Sequence, residues 1–188
     1  MGGDDRAEGA GRVFREVPVL PVVIPLAVAS LVAMLWHLRR RAMLTVPRAA
    51  VAVVLCVYVA GVVANTVFPV YLDKPGGPGH WAVYLLPFAD YGLGDAVTNV
   101  VVFLPVGVLV TLLLPRASWW GIVGIATAFS LLIEGTQLVT ARFLAGGHVA
   151  DVNDLIFNVV GAVLGLGVYC GLVRISPIAA VVERFRWR

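Results

Sequence analysis

Long apolar stretches broken by short polar connections set the pattern along this chain. Five of them, Val17 to Leu38, Ala49 to Val70, Ala96 to Leu114, Trp119 to Thr140 and Leu155 to Val173, approach the roughly 20 residues that an α-helix needs to cross a hydrocarbon core. The pattern predicts an all-α, polytopic transmembrane bundle of about five spans. A polar tail over 1–16 precedes the bundle at 17–174, and a basic tail over 175–188 follows it. The first span is the least regular, because Pro18, Pro21 and Pro25 each remove a backbone donor; helix starts and membrane bundles tolerate this better than soluble helix interiors do. Ala27-Val28-Ala29 has the small residues of a signal cleavage site. The apolar run nevertheless continues to Leu38, and Arg39, Arg40 and Arg41 follow, so an uncleaved helix is expected.

Composition agrees with the pattern. The 188 residues are 60% hydrophobic and 13% charged, with a mean hydropathy of +0.93, too apolar to keep most of a soluble surface wet. The formal charge is only +3, and the arginines stand at segment ends without interleaved aromatics, so nucleic acid is not an expected partner. Cys56 and Cys170 lie in apolar runs with no ligand spacing and read as small buried residues.

Basic residues resist translocation, and their placement orients the bundle. Arg39, Arg40, Arg41, Arg48, Arg116, Arg174, Arg184, Arg186 and Arg188 fall on one side; Arg6, Arg12, Arg15, Lys74 and Arg142 fall on the other. This split of nine against five predicts an outer N-terminus and a cytoplasmic C-terminus. Trp36, Trp119, Trp120 and Trp187 are expected at the inner interface. The segment from Asp73 to Asp95, with its turn-forming start and its aromatics Trp81, Tyr84, Phe88 and Tyr91, is too short to span. It is expected to lie in the outer interface or dip into it.

Against this apolar background a few strong hydrogen-bonding groups carry the candidate chemistry. At about 1.5 Å per residue from the outer span ends, Asn99, Glu134, Gln137 and Asn158 share a layer roughly 5 to 10 Å deep. Spacings of three and four also place Asp95 with Asn99, Glu134 with Gln137, and Asp151 with Asp154 and Asn158, each on a common helix face. The last stripe continues through Gly161 and Gly165, a spacing that lets another helix approach closely. Inserting an acid at mid-helix costs about 3 kcal/mol, so Glu134 requires a partner, a proton or a wet cavity. Arg142, Asp151 and Asp154 lie nearby in sequence. The candidate site is therefore Asn99, Glu134, Gln137, Arg142, Asp151, Asp154 and Asn158.

A buried polar network that fixes helix register, with Glu134 and Arg142 paired, explains the same residues without a ligand. A metal would draw on His80, His148 and the aspartates, but their spacing matches no ligand motif, and no cofactor is expected.

These residues also carry a resemblance. Leu86-Pro87-Phe88, then Asn99, Phe103, Pro105 and Gly107, then Glu134, Gln137, Arg142, the run Asp151-Val152-Asn153-Asp154, and Asn158, Gly161 and Gly165 resemble the pattern of the VanZ-like family from about Tyr84 to Gly165. These are small bacterial membrane proteins named after an accessory factor in low-level teicoplanin resistance. Tyr84 stands where the pattern has Asn, Asn153 replaces an acidic residue, and the interval from Arg142 to Asp151 is longer than usual. The resemblance implies a multi-pass plasma-membrane protein of the cell envelope with a link to glycopeptide tolerance.

Two functional expectations follow. In the first, an extracytoplasmic pocket binds the head group of a membrane lipid or cell-wall precursor, with Arg142 on a phosphate or carboxylate and the amides supplying hydrogen bonds. In the second, an intramembrane enzyme uses Glu134 as general acid or base with Asp154, while Asn99 and Asn158 stabilise developing charge. An assembly subunit joined through the glycine stripe ranks below both. A transporter fits less well, because the polar layer lies off the midplane and no inverted repeat is visible.

Overall fold

A computed structural model describes residues 15–68, 70–72, 83–88, 91–143 and 150–188. Five long helices carry the fold: α1 (Val19–Arg40), α2 (Val46–Val67), α3 (Leu93–Leu113), α4 (Trp119–Phe143) and α5 (Val152–Leu172). A short α6 (Ser176–Glu183) follows them. All five long helices are apolar and long enough to cross a membrane, as the sequence pattern predicts.

Local chemistry moves several boundaries from their predicted positions. Pro18 is extended and serves as the N-cap of α1, which delays the helix to Val19, while Pro25 is accommodated inside it. Pro47 sits in the first turn of α2, where its missing N–H costs nothing, so the helix begins at Val46. The start of α5 is chemically marked: the Asp151 carboxylate accepts the backbone N–H of Asn153 and caps the helix. This capping brings Asp154 into the first turn, near the positive end of the helix dipole.

Two short strand pairings tie the connections together. β1 (Arg15–Glu16) pairs antiparallel with β2 (Tyr71–Leu72), joining the entry of α1 to the chain after α2. β3 (Val83–Tyr84) runs parallel to β4 (Ala150–Asp151), pinning the aromatic segment onto the N-terminus of α5. The predicted interfacial stretch is thus anchored to the start of α5, where Asp151 and Asp154 lie. Its members Lys74 and Trp81 lie outside the described residues.

The tightest packing is between α3 and α5. A Cβ on Gly161 or Gly165 would collide with the backbone carbonyls of Val100 and Leu104, and one on Gly107 with the carbonyl of Ala162. Glycines on both helices therefore let the two backbones approach directly, and the predicted Gly161–Gly165 stripe is one half of this contact. α4 closes the bundle around Phe103, Val106, Ile122, Ala126 and Ile133.

The segment read as a basic tail folds back onto the bundle. Arg48 donates from Nε to the Arg186 carbonyl at 2.8 Å and from Nη2 to that of Arg188 at 3.1 Å, while the Trp187 N–H reaches the Leu112 carbonyl at 2.9 Å.

Candidate functional site

The polar residues gather where α3 begins, α4 ends and α5 begins. Asp154 stands at the centre. Its Oδ1 accepts the Tyr91 hydroxyl at 2.5 Å and the Asn99 amide at 2.6 Å, and the same amide lies 2.7 Å from the Tyr91 oxygen. This triangle joins α3 to α5 and to Tyr91, two residues before α3. Phe157, one helical turn beyond Asp154, stacks on Tyr91 with ring centres 5.4 Å apart and planes 5° from parallel. Phe88 meets the Phe157 ring edge-on at 6.3 Å. The aromatic segment thus fixes the position of the Tyr91 hydroxyl. Burial raises the pKa of Tyr91, and its hydrogen bond to Asp154 and the carboxylate charge reinforce the shift, so the phenol stays protonated as a donor.

Asn153 is the second structural hub. It is fully buried, its Oδ1 accepts the Phe88 N–H at 2.7 Å, and its Nδ2 donates to Asp151 at 2.8 Å. Phe88 itself adopts a positive φ of 63°, an uncommon conformation for a bulky residue, and this bond helps hold it there. An acidic residue at position 153 could not make the amide donation to Asp151.

Around this frame lies an open, mostly polar cleft of about 330 Å³, lined by Tyr91, Asp95, Asn99, Asp151 and Asp154. Beside it is an apolar groove of about 160 Å³ between Val83, Leu85, Leu131 and Leu155. Asp151 borders both, and Glu134 lies on the groove. The Glu134 carboxylate is buried and accepts the Asp151 N–H at 3.2 Å, which links α4 to the entry of α5.

The predicted site residues therefore divide. Asn99, Asp151 and Asp154 share the cleft, and Glu134 touches it through the Asp151 backbone. Asn158 faces away from it: its amide donates to Ser130 at 2.9 Å in a buried contact between α4 and α5. Gln137 is buried on the same face of α4. The Gln137 Oε1 and Asn158 Oδ1 atoms have no hydrogen-bond partner among the described residues. Arg142 belongs to the exposed last turn of α4, its guanidinium 5.7 Å from the Phe143 ring centre, and does not line the cleft. His80 and His148 lie outside the described residues. Among the described residues no group of three or more His, Cys, Asp or Glu side chains is arranged to hold a metal ion.

Three polar residues of the structure are missing from the sequence-predicted set. Ser130 lies four before Glu134, so the helical spacing that linked Glu134 to Gln137 would have found it. Asn153 sits within the acidic run already singled out. Tyr91 precedes the first turn of α3, where no periodicity marks a residue's direction.

No curated protein and no solved structure matches this chain. The family model described as VanZ/LLP1 matches residues 50–174, from within α2 to just past α5, and so takes in every element that builds the cleft. The chain belongs to the VanZ/LLP1 family, as a multi-pass protein of the bacterial plasma membrane.

Proposed function

We propose that this protein binds the polar head group of a membrane lipid or cell-wall precursor in the cleft between α3 and α5, on the extracytoplasmic side, and thereby contributes to tolerance of glycopeptide-type antibiotics. The observation that carries the reading is a polar cleft beside an apolar groove, with Asp151 on the border of both. An amphiphile presents that same division. Its head group would meet Asp95, Asn99, Asp151 and Asp154, and several methylenes of its chain would fit the groove.

The lining favours a ligand rich in donors. Three aspartates border the cleft, so ammonium, amide N–H or hydroxyl groups suit it better than a bare phosphate. The phosphate or carboxylate role expected of Arg142 is not needed for this reading, which rests on the carboxylates. The outward orientation is supported by the nine-to-five distribution of basic residues.

The test is glycopeptide and lipopeptide susceptibility in a host lacking the gene, complemented with wild type, Asp154→Asn or Asn99→Ala at matched membrane abundance. Both variants are expected to lose protection that wild type restores. Full protection by both would reject the cleft as the working site.

A second reading, an intramembrane enzyme, draws on the position of Glu134, which is buried, lies on the groove and is one hydrogen bond from Asp151. There the carboxyl group would move a proton on a ligand seated in the groove. Glu134→Gln separates the two readings: an enzyme keeps binding its ligand but loses turnover, whereas a binder keeps its protective effect.

A further inference from the structure

The opposite end of the bundle carries a second polar surface, of opposite sign. The return of residues 184–188 onto the bundle places a group of arginines around the turn between α3 and α4. Arg186 Nη2 donates to the Pro115 carbonyl at 3.2 Å, beside Arg116, and Arg48 Nη1 donates to the Met43 carbonyl at 3.2 Å, two residues from Arg41. Glu183 is paired with Arg186 at 3.1 Å and with Arg188; Arg184 follows it in the chain, Arg48 bonds the main chain of residues 186 and 188, and Arg116 follows Pro115. Arg48 donates to the main-chain oxygens of Met43, Arg186 and Arg188 and to no acidic side chain among the described residues. Arg116 and Arg184 are exposed.

The surroundings identify what this surface faces. Trp119 and Trp120 stack at 3.6 Å at the start of α4, both exposed, and Arg40 lies 4.0 Å above the Trp36 ring. Exposed tryptophans beside arginines at the ends of membrane-spanning helices mark the head-group layer. α6 adds exposed Val181 next to Arg184, and Ile175 is exposed just before it next to Arg174, an arrangement suited to lying in that layer. Two donors of the same cap, Arg186 Nε and Trp187 Nε1, are buried with no acceptor among the described residues.

We propose that this cap, formed by residues 184–188 against the α3–α4 turn and Arg48, binds the phosphate of an anionic phospholipid head group. Charge complementarity selects the occupant: several uncompensated arginines in the head-group layer attract lipids with net negative charge over zwitterionic ones. Arg116 and Arg184 supply exposed cations, while Arg48 holds the cap in place. The folded tail thereby becomes part of a lipid site. This surface is separate from the α3–α5 cleft and does not depend on what that cleft binds.

The experiment uses the full chain in nanodiscs of phosphatidylcholine, with or without phosphatidylglycerol, and native mass spectrometry to count retained lipids. Wild type is expected to retain phosphatidylglycerol selectively, and Arg116→Gln with Arg184→Gln to lower its affinity about thirtyfold, or about fivefold for Arg184→Gln alone. An unchanged melting midpoint of the double variant in pure phosphatidylcholine separates lost lipid from lost fold, and the single variant decides the matter if the double one unfolds. Equal retention of both lipids, or variants that retain phosphatidylglycerol like wild type, overturns the proposal. So does inorganic phosphate displacing the lipid at equal concentration, which would make the cap a site for free phosphate instead.

Discussion

α1 and the α3–α5 pair are about equally apolar, yet they are built on different principles. Only 6% of the most apolar window of α1 is buried inside the protein, and α2 is its main packing partner. Leu20, Ile24, Leu26, Val28 and Val32 are all exposed, so lipid, not protein, satisfies this helix. α3 and α5 instead press backbone against backbone at Gly107, Gly161 and Gly165, and they carry Asn99, Asp154 and Asn158 into the space so defined. Hydropathy alone does not distinguish the two situations. In a bilayer, burial of apolar surface between helices is not driven by water, so close contact must come from shape and hydrogen bonds. A functional site held to ångström tolerance belongs on the second kind of scaffold.

Perturbing the tight crossing should produce the largest effect. Gly165→Leu would force its side chain into the Leu104 carbonyl and is expected to cost about 3 kcal/mol or more. The equivalent Gly61→Leu on α2, where a Cβ meets nothing within 4 Å, is expected to be nearly neutral. Thermal unfolding in detergent, followed by helical circular dichroism, compares the two; equal losses would refute the distinction drawn here. Next in size is Asp154→Ala, which leaves the Tyr91 hydroxyl and the Asn99 amide without their shared acceptor and should cost about 2 kcal/mol. Asp154→Asn keeps an acceptor oxygen and should recover part of that loss in the same assay.

Tyr91→Phe keeps the stack on Phe157 but removes the hydroxyl, for an expected cost of about 1 kcal/mol near neutral pH. The pH dependence has a defined sign. Because folding raises the Tyr91 pKa, its contribution is fully present below the unfolded value of about 10 and is lost as pH rises from there through the folded value. The variant should therefore lose less stability than wild type on going to alkaline pH, a difference read from unfolding midpoints on either side of that value. A parallel decline in both proteins would show that Tyr91 contributes nothing to the alkaline transition. The smallest effect is expected at α1, where Val28→Ala should change stability by within about 0.5 kcal/mol. A loss well above that would mean that α1 is packed against more than lipid.

The extent to which the site was legible varies from residue to residue. Asn99, Asp154 and the glycine stripe could be read directly, because a helix converts spacings of three and four into a shared direction. Arg142 was grouped with them by sequence proximity, but a position in the exposed last turn of α4 leaves it outside the cleft lining. Asn158 shares its helix face with Asp154 yet bonds to Ser130 on α4, since adjacent helices divide one polar stripe between them. Tyr91 and Asn153 gained their roles from a parallel strand pairing and a turn at Phe88, which have no local periodicity.

By itself the sequence determined the class of solvent, the number of spans and their approximate limits. These follow from bilayer thickness and the cost of placing polar groups in it, which act on each segment separately. Only the tertiary structure decided which polar groups meet: that Tyr91 completes the contact between Asn99 and Asp154, that Asp151 borders both cleft and groove, and that the basic tail returns to Arg48 and Leu112. Those pairings depend on how closely two helices approach and on where non-helical segments cross them, and neither is encoded within a single span.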